Sequence, residues 1–134
     1  MAQTMSGTGG QSRQLVLAEN LAVSLPAAGN TVLLEIALAG AEELGCSFDV
    51  TVQALDNFVI EGKVHPDSGY VVLYTNPTVA GGLIIALSGS IGAQAAGTTG
   101  WFILNVRSLW GVRISASSAV NNATVSAYAG ATGQ

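Results

Sequence analysis

Trp101–Ala129, WFILNVRSLWGVRISASSAVNNATVSAYA, is the stretch whose reading decides the fold. Two runs with strand character, Trp101–Arg107 and Leu109–Ala116, lead into a polar turn, Ser117–Asn122, and a third run, Ala123–Ala129. In the second run Trp110, Val112, Ile114 and Ala116 fall on one face, and Gly111, Arg113 and Ser115 on the other. In the third, Val125, Ala127 and Ala129 alternate with Thr124, Ser126 and Tyr128. A period of two marks strands with one buried face. Both tryptophans lie in this stretch, which places the centre of the core here.

Upstream, the same signals recur at short intervals. Gln14–Val23 suits a first strand bent at Glu19-Asn20, and Pro26–Asn30 is a turn. Thr31–Ala39 is a strand with Val32, Leu34, Ile36 and Leu38 on one side. Gly40–Gly45 reads as an acidic loop carrying Glu42 and Glu43. In Cys46–Ala54, Cys46, Phe48, Val50, Val52 and Ala54 point one way, and Ser47, Asp49, Thr51 and Gln53 the other. Phe58–Val64 and Tyr70–Thr75 flank the turn His65–Gly69, and Leu83–Ser88 is a short apolar run covered on both faces. Gly89–Gly100, rich in Ala, Gly and Thr, reads as a long loop.

Eight or nine short strands without an amphipathic helix predict an all-β fold. The architecture expected is an antiparallel two-sheet sandwich of jelly-roll topology. Residues 1–13 form an extended N-terminal arm, 14–130 one sandwich domain and 131–134 a polar tail. Phe48, Val50, Val52, Leu34, Ile36, Trp110, Val112, Ile114 and Val125 are expected to share one core.

Composition narrows the function. Only 9% of the 134 residues are charged, against roughly 25% in ordinary soluble domains. Charge keeps surfaces apart, so a chain this poor in it is expected to be covered by neighbours. The net charge of −4, with Arg13, Lys63, Arg107 and Arg113 scattered, argues against nucleic acid as a partner. No apolar run reaches the ~18 residues of a membrane helix, and Met1–Gly10 lacks the charged and apolar regions of a secretory signal. Synthesis in a cytoplasm is expected. One cysteine, Cys46, excludes an intrachain disulfide framework, and its place beside Phe48 suits a buried, inert thiol.

Motifs for chemistry are missing. His65, Asp67 and Ser68 include the residue types of a triad, but they share one Pro-containing turn instead of converging from separate elements. One His and one Cys do not supply the three or four ligands of a zinc site. Glu42, Glu43 and Asp49 lack the spacing of a calcium loop. No phosphate loop, nucleophile elbow or metalloprotease motif is present. The expectation is a protein that is not an enzyme and takes no cofactor and no metal. Trp101, Trp110, Tyr70, Tyr74 and Tyr128 could form a sugar-stacking platform; the expectation is that the tryptophans are core and the tyrosines cover sheet rims.

Arg107–Ser118, RSLWGVRISASS, leading through a short polar turn into Ala123–Ala129, ATVSAYA, resembles the final hairpin of capsid decoration (cement) proteins of tailed bacteriophages. The resemblance covers about a quarter of the chain. It implies a virion structural protein on the capsid exterior that bridges neighbouring capsid subunits, with the major capsid protein as partner. Self-association as a homotrimer is expected alongside. The polar arm Met1–Ser12 is the expected clamp: Gly7, Gly9 and Gly10 allow close approach to a neighbour, and Arg13 stands at its base. The alternative is a tail-fibre or receptor-binding module with a carbohydrate site.

Overall fold

The computed structural model describes residues 13–26, 29–38, 40–75, 83–88, 94–118 and 123–133, with nine strands among them. They are β1 (Arg13–Leu25), β2 (Thr31–Ala37), β3 (Glu43–Thr51), β4 (Asn57–Lys63), β5 (Val71–Thr75), β6 (Ile84–Leu87), β7 (Thr99–Asn105), β8 (Gly111–Ser117) and β9 (Ala123–Gly133). One sheet has the order β1-β9-β3-β7-β6, the other β2-β8-β4-β5, and every pairing is antiparallel.

Consecutive strands stay in one sheet only at β4–β5 and β6–β7; every other step crosses the sandwich. With β6 set aside, the orders β1-β9-β3-β7 and β2-β8-β4-β5 are those of a jelly roll, and β6 extends the first sheet by one edge strand. The expected topology is therefore met. The expected final hairpin is not: β8 pairs with β2 and β4, and β9 with β1 and β3. The two runs alternate in the same way because both face one core, from opposite sheets.

That core is apolar and tightly closed. β3 alternates without a fault, with Leu44, Cys46, Phe48 and Val50 inward. Phe48 and Phe102 from one sheet meet Phe58 from the other, with ring centroids 4.8 Å apart for Phe48–Phe58, 5.4 Å for Phe48–Phe102 and 6.4 Å for Phe58–Phe102. Tilted and edge-on aromatic contacts of this kind add to simple area burial. Leu34, Ile36, Val112, Ile114, Val125 and Ala127 complete the interior as the alternation requires.

Several expectations fail for physical reasons. Val52 is 64% exposed, because β3 ends at Thr51 and the chain reverses there with φ +73° at Val52. Trp110 stands just outside β8 at the sandwich rim, 40% exposed, and Trp101 points outward from β7 at 41%. Neither tryptophan is core. Ile85 is half exposed because β6 is an edge strand, not a covered one. β3 begins at Glu43, inside the stretch read as an acidic loop, and β9 runs through buried Ala131 to Gly133, into the stretch read as a tail. The bend expected in β1 is a bulge between Asn20 and Val23, where Ala22 takes φ +52° and its N–H donates to Ser126 Oγ at 3.0 Å.

Candidate interaction surfaces

The residues that carry chemistry do not converge. His65, Asp67 and Ser68 close a turn on itself: Ser68 Oγ donates to the His65 carbonyl at 2.8 Å, and the Asp67 N–H donates to His65 Nδ1 at 3.0 Å. No hydroxyl is therefore aimed at the imidazole within this trio. Glu42 lies 3.4 Å from Arg107, and Asp49 accepts from Thr99 Oγ1 at 2.7 Å. Glu43 and Asp49 are six residues apart on one strand, roughly 20 Å. Among the described residues no three His, Cys, Asp or Glu side chains group to hold a metal. Cys46 is enclosed, and burial drives its thiol pKa far upward.

The outer face of the four-stranded sheet carries an ion ladder under an aromatic lid. Glu35, Arg113 and Glu61 are cross-strand partners on β2, β8 and β4. Arg113 donates through Nε to Glu61 Oε1 at 3.0 Å and through Nη2 to Oε2 at 3.1 Å. The Tyr70 ring lies 4.2 Å from the guanidinium. Burial raises the Tyr70 phenol above its ordinary pKa, and the charge of Glu35 and a hydrogen bond with it add to the rise. Gly111 lies beneath: a Cβ there would come 3.2 Å from the Ile36 carbonyl oxygen and 3.5 Å from the Tyr70 hydroxyl. Lys63 Nζ sits between two rings, 4.8 Å from Tyr70 and 5.0 Å from Trp110, and donates to the Pro66 carbonyl at 3.4 Å.

The outer face of the five-stranded sheet carries a trough of about 400 Å³. Its floor is Gly130, Gly45 and Ser47, and its walls are Leu17, Tyr128, Trp101 and Ile103. Tyr128, Ser47 and Trp101 form one cross-strand row, and Gly130, Gly45 and Ile103 the next. Two adjacent glycines leave the second row without side chains at its centre, and this opens the depression. Glu19 stands opposite Tyr128, Asp49 lies two residues along β3 from Ser47, and Glu43 two residues from Gly45 on the other side. Strands β3, β7 and β9 bring carboxylates to this face and contain no Lys or Arg; Arg107, just past β7, is paired with Glu42.

All four edge strands expose large apolar side chains: Leu17 and Leu21 on β1, Val32 on β2, Val71 and Val72 on β5, and Ile85 on β6. Of the expected clamp, Arg13 opens β1 opposite Gly133 at this sheet edge. Gly7, Gly9 and Gly10 lie outside the described residues. The run WFIL gives no sign of the trough, because it is apolar at every position. The signal that finds it is the phase of the neighbours: Thr99, Trp101, Ile103 and Asn105 share a face, while Phe102, Leu104 and Val106 form the continuous apolar one.

No protein-family model matches the chain, and no curated protein matches it. Two solved structures are similar. The SPBc2 prophage-derived protein YomS aligns over 89% of this chain and 96% of its own, at 10% identity and a TM-score of 0.45. A chain from a structure described as Bacillus endospore appendages forming a novel family of disulfide-linked pili aligns over 97% and 95%, at 12% identity and the same TM-score. Similarity at this level assigns no function to the chain.

Proposed function

We propose that the chain is a structural subunit of a tailed-phage virion, which docks on the outside of an assembled capsid and bridges neighbouring capsid subunits. The observation that carries this reading is the chemistry of the edges. Free-standing sandwiches guard their edges with charge, proline or cover. Here Leu17, Leu21, Val32, Val71, Val72 and Ile85 stand exposed on edge strands of a chain with only 9% charged residues. Such edges suit a subunit that spends its life against other chains. The capsid is chosen as the assembly on the sequence resemblance of Arg107–Ser118 and Ala123–Ala129 to decoration proteins, although these runs lie in opposite sheets and not in a hairpin.

In this reading the arm is the clamp. It precedes β1, an edge strand that opens at Arg13. Gly7, Gly9 and Gly10 let its backbone approach a capsid protein or an adjacent copy closely enough for strand addition. A homotrimer at a local three-fold position multiplies the attachment by effective concentration. No catalysis and no cofactor are required; the work is mechanical, a larger buried area across capsomer joints. The test mixes the full chain, and a chain lacking residues 2–12, with undecorated capsids of the phage that encodes it. The full chain should sediment with capsids and raise their heat resistance, and the truncated chain should do neither. Full-chain protein left in the supernatant sinks the reading; equal binding by the truncated chain sinks the arm as clamp.

A further inference from the structure

We infer that the trough on the five-stranded sheet is filled by a second copy of this chain, which inserts the Trp110–Lys63 knob from the outer side of its four-stranded sheet. The inference rests on the reading of the chain as an assembly subunit and names the surfaces through which it meets itself.

Charge complementarity selects the occupant. Glu19, Asp49 and Glu43 flank the trough without lining it, and strands β3, β7 and β9, which carry most of its lining, contain no Lys or Arg. Of the cations in the described ion pairs, Arg107 meets Glu42 and Arg113 meets Glu61. Lys63 meets no carboxylate within salt-bridge distance among the described residues; its ammonium is fixed between the Tyr70 and Trp110 rings. The knob therefore offers the charge that the trough lacks. Two trough faces set against each other would instead oppose carboxylates, so a symmetric face-to-face pair is disfavoured.

Shape agrees with charge. The trough is walled by Leu17, Ile103, Tyr128 and Trp101 over a glycine floor, and so admits one flat apolar group. Trp110 is 40% exposed and held in place by Lys63, so little freedom is lost when it docks. Tryptophan and tyrosine in a desolvated pocket are the residues that dominate interface energies. Knob and trough lie on different sheets, so the contact is heterologous: copies close into a ring or extend in a line.

The test is sedimentation velocity of the full chain from micromolar to near-millimolar concentration, with Trp110→Ala, Trp101→Ser, Lys63→Glu, Glu19→Lys and the Lys63→Glu/Glu19→Lys pair. The wild type should associate. Either tryptophan variant should weaken association roughly 30-fold or more, as hot spots do. Each charge reversal should weaken it about tenfold, and the pair should recover most of that loss. Trp101→Ser lies far from the Lys63 cluster, and so reports on the contact even if Lys63→Glu disturbs folding. Association that ignores all five variants overturns the contact. So does a wild type that stays monomeric, or saturable quenching of Trp101 fluorescence by neutral oligosaccharides such as cellotriose, which gives the trough to sugar. A monomeric chain that still coats capsids separates failure of this contact from failure of the virion reading.

Discussion

Arg113 grips Glu61 with both arms of its guanidinium, across the β8–β4 register, at 3.0 and 3.1 Å. The pair is partly shielded from water, with side chains 31% and 17% exposed. A fork-to-carboxylate match is lost when the cation becomes a point charge. Arg113→Lys should therefore cost about 1 kcal/mol in urea unfolding, and the loss should shrink in molar salt. An unchanged midpoint would show that the ladder contributes nothing to stability.

Tyr70 lies on that guanidinium and carries a phenol pKa raised by burial and by Glu35. The sign follows from proton counting. Above the unfolded phenol value, near 10, the unfolded chain releases a proton that the folded chain keeps. The contribution is thus fully present below about pH 10 and is lost as pH rises through the higher folded value. In an alkaline absorbance titration Tyr70→Phe should remove a late-ionising step. A titration whose late part is unchanged by that substitution would remove the effect.

Phe48 sits between Phe58 and Phe102 at the seam of the two sheets. It is fully enclosed, so Phe48→Ala removes the transfer energy of the ring and leaves a cavity. The expected loss is about 3–5 kcal/mol, and Ile114→Ala, enclosed on β8, about 2–5 kcal/mol. Chemical denaturation measures both. A loss under 1 kcal/mol at either site would mean the core collapses to fill the hole.

The sheets were legible in the sequence because a half-buried strand writes its burial into every second residue. β3 and β9 were read this way, residue by residue. Strand ends were not, since the alternation runs on to Val52 after β3 has ended and already includes Trp110 before β8 begins. Trp101 escaped for the opposite reason: an all-apolar run has no contrast to give the phase. The turn residues joining β8 and β9 could not tell a hairpin from a crossing between sheets, because both need the same small polar residues. The candidate surfaces were the least legible part. A trough made by two glycines on neighbouring strands, and a lysine seated between rings from separate segments, depend on register that a single sequence does not display.

Gln94 is such a hidden contact. It lies in a stretch that reads as featureless, yet its side chain is buried. Nε2 donates to the Phe48 carbonyl at 2.9 Å and to the Thr98 carbonyl at 3.0 Å, and its backbone exchanges both hydrogen bonds with Leu55. The amide thus ties the β7 approach to the core strand. Its Oε1 has no hydrogen-bond partner among the described residues, which offsets part of the gain. Gln94→Ala should cost about 2 kcal/mol, and Gln94→Glu more, because a carboxylate would face two carbonyl oxygens. Equal stability of the Glu variant and wild type at neutral pH would disprove this role.

Among the described residues, Val52 is the β-branched one with a positive φ. It sits at the centre of a γ-turn, with φ +73°, closed by the Gln53 N–H donating to the Thr51 carbonyl at 2.9 Å. A γ-turn of positive φ is strained for any residue with a Cβ, and a β-branched one fits it worst, at a cost of roughly 1–2 kcal/mol. Its side chain is largely exposed, so packing within the chain does not offset the strain. Glycine, without a Cβ, reaches positive φ freely, at a smaller entropic cost. Val52→Gly should raise the stability of the free chain by about 0.5–1 kcal/mol, a rise in melting temperature of roughly 2–4 °C. Strain kept at an exposed apolar position is what a docked state can favour. The same variant should therefore bind undecorated capsids less tightly than wild type. A more stable chain that binds as well would leave Val52 outside the interface, and a less stable one would show that the turn is not strained.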